Sequence, residues 1–327
     1  MNTLKDFESQ IYTVNDRSFE DIALSLFRFQ ANNNSIYRQY IENLGIDTTT
    51  IKSVHQIPFL PISFFKNQTV KTGDWTAETI FTSSGTTGLT TSTRYVNDLE
   101  FYLSHAEKCF KYFFGDLSDY HFLGYLPSYL ERSNSSLVAM IDRFIKKSQS
   151  DYSGFYLHDT DKLVKDLEVL RNDSRKTILW GVSFALLDLI ENFNIDLSHC
   201  MIFETGGMKG RRKEMTRQEL HSQLTKAFHV NTIYSEYGMT ELFSQAYSKS
   251  NDFACPPWMK ILVREITDPR NIGLLNETGA INVIDLSNID SVAFIETEDI
   301  GKVRPDGYFE VLGRMDNSDV RGCNLLV

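Results

Sequence analysis

Residues 80–94 read Ile-Phe-Thr-Ser-Ser-Gly-Thr-Thr-Gly-Leu-Thr-Thr-Ser-Thr-Arg, and this stretch limits the fold more than any other. Two β-formers, Ile80 and Phe81, run into Thr82, Ser83, Ser84, Gly85, Thr86, Thr87 and Gly88. That pattern predicts a buried strand opening into a phosphate-holding loop. Gly85 and Gly88 permit backbone angles that other residues resist, and they let N–H groups approach an anion. Ser83, Ser84, Thr86 and Thr87 add hydroxyl donors. No Gly-Lys-Ser/Thr follows, so this is not a Walker A loop. A Ser/Thr/Gly surface linker is the competing reading.

A chain of 327 residues can form one large domain or two ordinary ones. With 42% hydrophobic and 23% charged residues it has a globular composition. The net charge of −10 argues against nucleic-acid binding through a general basic surface. An anionic ligand would need loops and a few local cations. The four cysteines, Cys109, Cys200, Cys255 and Cys323, form no Cys-x-x-Cys pair, which argues against zinc and for a reducing compartment. The N-terminus lacks a basic region followed by an apolar run, and no apolar run reaches membrane-spanning length. These features predict a cytoplasmic protein without a membrane span.

Helical spacing of apolar residues predicts helices within residues 4–44, with Gly45 ending the last. Further helices are expected after an Asn97-Asp98 cap, then at 135–145, 159–170, 183–193 and 213–227. Strands are expected at 120–126, 177–180, 201–204 and 230–234. This alternation argues for α/β layering over a parallel or mixed sheet. After Trp258 the segments at 260–266, 280–284, 292–296 and 308–312 are short, β-rich and separated by turn residues, which favours an antiparallel or barrel-like subdomain. The expected organisation is an α/β body at 1–250 and a β-rich subdomain with its tail at 251–327, packed as one unit.

Ligands of open α/β sheets bind beyond the carboxyl ends of strands. Three loops are therefore expected to converge: the one after Phe81, the one carrying Gly206 and Gly207, and Ser-Glu-Tyr-Gly-Met-Thr-Glu at 235–241. Tyr237 offers an aromatic face to a nucleobase and Thr240 a hydroxyl to a phosphate. Glu241 offers a hard oxygen to Mg²⁺, which takes one or two carboxylates plus substrate phosphates. A helix N-terminus capped by Ser235 is the competing reading. Asp299 precedes Ile300-Gly301, where its carboxylate could bind ribose hydroxyls or merely sit in a hairpin turn. Arg314, in Gly-Arg-Met-Asp, could reach ribose or phosphate, or belong to a solvated turn.

In order, Ser-Ser-Gly-Thr-Thr-Gly at 83–88, Tyr-Gly-Met-Thr-Glu at 237–241, Thr-Glu-Asp-Ile-Gly at 297–301 and Gly-Arg-Met-Asp at 313–316 resemble core motifs of the adenylate-forming superfamily. Leu-Pro-Ser-Tyr-Leu-Glu-Arg at 126–132 and the ending from Gly313 to Leu325 narrow the resemblance to the acyl-protein synthetase (LuxE) family. The resemblance implies an α/β fold with mixed or parallel sheets flanked by helices, plus the C-terminal β-rich part. It also implies ATP- and Mg²⁺-dependent activation of a carboxylic acid, fatty or aryl, to an acyl-AMP.

By that resemblance Thr82, Ser83, Ser84, Gly85, Thr86, Thr87 and Gly88 hold the pyrophosphate end. Tyr237 and Gly238, with Gly206 and Gly207 beside them, hold adenine. Thr240 meets the α-phosphate, Glu241 holds Mg²⁺, and Asp299 and Arg314 bind ribose. Cys323 is the matching acyl acceptor, delivering the acyl group to an acyl reductase or carrier; an inert packed thiol is the other reading. Three departures stand out. Leu89 occupies the region of the family's loop lysine, leaving Arg94 as the nearest cation. Glu298 replaces the glycine of the commoner Thr-Gly-Asp. The chain ends at Val327, where a lid domain bearing a catalytic lysine would be expected to follow. A lid-less acyl- or aryl-CoA ligase and a non-catalytic nucleotide-binding scaffold are the alternative functions.

Overall fold

The computed structural model describes residues 3–83, 91–126, 134–156, 159–206, 212, 215–249 and 251–315. In chain order the elements are α1 (Leu4–Ile11), α2 (Phe19–Asn33), α3 (Ser35–Asn43), β1 (Leu60–Pro61), α4 (Phe64–Asn67), β2 (Thr79–Thr82), β3 (Thr93–Val96), α5 (Leu99–Phe114), β4 (Tyr120–Tyr125), α6 (Ser136–Ser148), β5 (Gly154–Phe155) and α7 (Thr160–Val169). They continue with β6 (Lys176–Val182), α8 (Ser183–Asn192), β7 (Cys200–Thr205), α9 (Arg217–Phe228), β8 (Ile233–Tyr237), β9 (Ala246–Lys249), β10 (Asp252–Ala254), β11 (Met259–Arg264), β12 (Thr278–Asp285), β13 (Phe294–Val303) and β14 (Phe309–Arg314).

The fold is mixed α/β. One large sheet runs in the order β11-β12-β13-β14-β10-β9-β8-β7-β6-β4-β5, with β1 beside β13. Strands β4 to β8 pair in parallel, and β8 onward pair antiparallel. Strand β4 is buried throughout and β6 almost so, as expected of parallel strands covered on both faces. A layer of stacked rings, Trp180 on Phe203 at 4.6 Å and Phe203 on Tyr234 at 5.0 Å, lies on one face of these strands. Phe110 and Phe114 of α5 pack against it. Helix α5 begins where Asp98 accepts the Phe101 N–H, so the expected cap is present.

Several expectations change. Strand β2 does not join the large sheet; it pairs with β3 as a separate hairpin, and Ile80 is 37% exposed while Phe81 is buried. The strand expected at 230–234 lies three residues later, at Ile233–Tyr237. Ile233, Ser235 and Tyr237 are buried on one face of it, so Ser235 caps no helix. Helix α9 begins only at Arg217, because Thr216 and Glu219 form a reciprocal capping box there. Asp299 sits inside β13 rather than in a hairpin turn. Arg314 ends β14 rather than occupying a loop. Of the two arrangements expected for the C-terminal strands, the antiparallel one is found, and β14 pairs with β10, which continues the sheet through β9 to β8.

Candidate active site

Strands β7 and β8 end side by side, with Glu204 opposite Ser235. Alternation along β8 divides its side chains between two faces. Ser235 and Tyr237 point one way, Tyr234 and Glu236 the other. On the first face the Tyr237 hydroxyl donates to Asp299 Oδ2 at 2.9 Å. Arg314 Nε donates to Asp299 Oδ1 at 3.1 Å, because β13 and β14 place residues 299 and 314 directly opposite. Three predicted site residues thus meet, although 62 residues separate the first two. The tyrosine ring lies edge-on to Phe253 and Phe309, which holds it rigidly. Burial, then the adjacent Asp299 carboxylate, keep its phenol protonated far into the alkaline range.

Glu241 lies on the loop after β8 and is 4% exposed. Burial raises its pKa, and a hydrogen bond from the Ser92 hydroxyl offsets this in part. Its carboxylate makes no ion pair among the described residues. Its backbone carbonyl accepts from Arg94 Nη1 and from Asn288 Nδ2, each at 2.9 Å. Arg94 also donates to Asp290 Oδ1 at 2.6 Å and is fully buried. The cation nearest the hydroxyl-rich loop therefore anchors the scaffold and is not free for phosphate.

Ser83 and Ser92 close the base of the β2–β3 hairpin. The Ser83 N–H donates to the Ser92 carbonyl at 3.0 Å, and the Ser92 N–H to Ser83 Oγ at 2.9 Å. Thr82 ends β2, opposite Thr93. Ser84, Gly85, Thr86, Thr87, Gly88, Gly207 and Cys323 lie outside the described residues. Gly206 has φ 72°, a left-handed angle suited to glycine, and its carbonyl accepts from Ser183 Oγ at 3.0 Å. Gly238 leaves room for the neighbouring carboxyl: a Cβ there would stand 2.0 Å from Glu236 Oε1. Thr240 is half-buried beside Glu241.

Sequence reasoning assigned no role to Glu204 or Glu236. Ser235 donates to Glu204 at 2.7 Å and Ser183 at 3.0 Å, with Arg217 3.6 Å and His221 3.4 Å away. Burial pushes the Glu204 carboxyl up, but its polar and cationic neighbours bring it below the usual range. Glu236 differs: Thr205 Oγ1 donates to it at 2.9 Å, and it has no cation partner among the described residues. Burial and the Glu204 charge raise it to about 7 despite that bond. The available signal was a charge near the end of each strand, two positions before a glycine. The other cysteines carry no such activation. Cys109 is fully buried, and burial raises both it and Cys200 to about 12.

No family model matches the chain. It is 24% identical over 339 residues to the long-chain-fatty-acid–luciferin-component ligase of Vibrio harveyi, covering 91% of this chain and 84% of that protein. It is 26% identical over 332 residues to the enzyme of the same name from Aliivibrio fischeri, covering 91% and 85%. Among solved structures, 2-hydroxyisobutyryl-CoA ligase in its postadenylation state superposes with TM-score 0.69 at 12% identity, over 92% of this chain and 68% of that one. ATP-bound MatB from Rhodopseudomonas palustris gives TM-score 0.53 at 16% identity, over 72% and 47%. The chain is thus similar along most of its length to ligases of long-chain fatty acids. The chain spans about half the length of the MatB structure.

The donor set of the candidate site fits a nucleotide carrying its own cation. Among the described residues no group of three or more His, Cys, Asp or Glu side chains forms a closed metal cage. A single buried carboxylate without a cation, Glu241, suits Mg²⁺ that is otherwise held by phosphates. Asp299 can accept from ribose hydroxyls, and the Arg314 side chain is 68% exposed beside it. Among the described residues no helix is long and apolar enough to cross a membrane.

Proposed function

We propose that the protein activates a carboxylic acid with ATP and passes the acyl group to a protein thiol. In the first half-reaction a carboxylate oxygen bonds to the α-phosphorus, and the bond to pyrophosphate breaks. In the second, a thiolate attacks the acyl carbonyl, a C–S bond forms, and AMP departs with the electron pair of the C–O bond. Cys323 is the proposed thiol, and an acyl reductase or acyl carrier the proposed recipient. The observation that carries this reading is the Tyr237–Asp299–Arg314 cluster. Asp299 and Arg314 would bind ribose and Tyr237 would flank adenine. Thr82 to Gly88 would receive the departing pyrophosphate and Thr240 the α-phosphate.

Mg²⁺ held by Glu241 and the phosphates would neutralise charge on the phosphoryl oxygens. Such chemistry depends on positioning and electrostatics rather than on a side-chain acid–base pair. The names of the curated relatives, ligases of long-chain fatty acids, support an acyl substrate.

The test is intact mass after incubation with ATP, Mg²⁺ and a panel of fatty and aryl acids, beside Cys323→Ser. A hydroxylamine-labile acyl adduct, absent from the serine variant, is expected. AMP release that requires added coenzyme A, without an adduct, would replace this reading with a CoA ligase. Nucleotide binding with neither product would replace it with a non-catalytic module.

A further inference from the structure

The loop between β8 and β9 carries Thr240 and Glu241, and it is held at two places. Arg94 and Asn288 grip the Glu241 carbonyl. The second hold lies at Phe243 and Ser244, and the reaction above assigns it no part. Asp285, the last residue of β12, is fully buried. Its Oδ2 accepts the Phe243 N–H at 3.0 Å and the Ser244 N–H at 2.8 Å. Its Oδ1 accepts the Ser244 hydroxyl at 2.7 Å and the Ser287 N–H at 3.1 Å. From Ser244 a chain of contacts runs outward through two helices. Ser244 Oγ lies 3.0 Å from His105 Nε2 on α5, and His105 Nδ1 lies 3.0 Å from the hydroxyl of Tyr12, the C-cap of α1.

The direction of each bond is set from the inner end. Asp285 takes backbone N–H donors on both oxygens, so the Ser244 hydroxyl donates to it. Ser244 can then only accept from His105, whose Nε2 carries the proton and whose Nδ1 accepts from Tyr12. Burial draws the His105 pKa down to about 4 despite the Asp285 charge, and keeps the Tyr12 phenol protonated far into the alkaline range. Both groups are thus in the state the chain of bonds requires. The Trp258 and Phe101 rings, with centroids 5.3 Å and 5.9 Å from that of His105, fix the imidazole between them.

We infer that His105 is a positioning residue: with Tyr12 and Ser244 it fixes the loop that presents Glu241 to the Mg²⁺ of the nucleotide. The inference rests on the adenylating reading for what Glu241 holds. Glu241 makes no ion pair among the described residues, so its place follows the backbone of its loop. Mg²⁺ tolerates little displacement of its oxygen ligands, and a misplacement of about 1 Å can cost ~100-fold in rate. The adenosine side has no such dependence, because Tyr237, Asp299 and Arg314 stand on β8, β13 and β14 and hold one another.

The experiment separates the two sides of the site. Calorimetry gives the affinity for AMP without metal, and the factor by which saturating Mg²⁺ tightens ATP binding; pyrophosphate release is measured beside them. The variants are Ser244→Ala, His105→Phe and His105→Gln, whose side-chain amide still donates to Ser244. In Ser244→Ala and His105→Phe the gain from Mg²⁺ should fall at least about tenfold, while AMP affinity stays within about twofold. His105→Gln should keep the gain within about threefold of the native value. If His105→Phe does not fold, Ser244→Ala, which removes a single oxygen, carries the test. A purely structural role would lower the fraction of protein that binds and leave the gain unchanged, and that result would overturn the inference. So would a native protein whose ATP binding Mg²⁺ does not tighten, or an AMP affinity that falls in step with the gain. Should no acid release pyrophosphate while ATP and Mg²⁺ still bind together, the adenylating reading fails and the binding data alone decide the role of His105. Binding of neither nucleotide by the native protein would overturn both.

Discussion

Two arginine–aspartate pairs flank the candidate site, and they do opposite things. Arg94 and Asp290 are 0% and 4% exposed, 2.6 Å apart. Asn288 Oδ1 and the Glu241 carbonyl accept from Nη1 of the same guanidinium, and its Cζ lies 4.2 Å from the centroid of the Phe243 ring. Arg314 and Asp299 are 68% and 11% exposed, 3.1 Å apart, and Tyr237 supports only the aspartate. The first pair is closed and leaves no room for a ligand. The second keeps a guanidinium in solvent beside an oriented carboxylate. Pairing and charge are the same; burial separates a scaffold from a proposed binding site.

The largest expected effect comes from breaking the closed pair. Arg94→Met would leave Asp290 buried without its cation and should cost about 3–5 kcal/mol, read from urea unfolding. An unchanged midpoint would remove the distinction between the pairs. Next, Glu241→Gln should lower pyrophosphate release by about 100-fold or more, the scale of a lost electrostatic contact in a transition state. Its unfolding midpoint should hold or rise, since a carboxyl raised by burial is removed. Third, Arg314→Ala should raise KM for ATP by about tenfold, equivalent to ~1.4 kcal/mol. Its stability should stay within about 0.5 kcal/mol, as for exposed pairs. A comparable loss of stability in Arg94→Met and Arg314→Ala would collapse the comparison.

The smallest effect concerns Glu236 and runs with pH. Burial and Glu204 raise its pKa to about 7 from an ordinary 4.5, so the folded state favours the protonated form. That contribution is complete below pH 4.5 and is lost as pH climbs to 7. Glu236→Gln, which cannot ionise, should therefore melt higher than the native protein at pH 8. The gap should close on approach to pH 4.5. A gap that is constant with pH would show that Glu236 is charged throughout.

Much of the site was legible because its residues stand in short motifs whose chemistry is local. Tyr237, Gly238 and Glu241 lie within five positions. Asp299 and Arg314 became partners through a strand pairing that their separate fragments did not reveal. The shift of β8 to Ile233–Tyr237 went unread because Ser, Glu and Tyr look like loop residues. Long-range polar bonds, Ser235 to Glu204 and Tyr237 to Asp299, hold them in a strand. The role of Arg94 was illegible for the same reason: its partner lies 196 residues further on. Glu236 stands within the 235–241 motif, yet only the opposite face of its strand distinguishes it from Tyr237.

The segment between β12 and β13 gathers contacts from the whole length of the chain. Gln30 donates to the Asn288 carbonyl, Asn34 to that of Ser291, and Arg94 to Asp290, while the Phe243 N–H donates to Asn288. A chain emerging from the ribosome must be synthesised past residue 291 before these groups find their partners. Until then the N-terminal helices and the β2–β3 hairpin lack the acceptors that fix them. Such distant closures make folding slow and expose intermediates to aggregation. The proposed nucleotide site is thereby tied to synthesis: a nascent chain that has not yet exposed residue 291 has not assembled it.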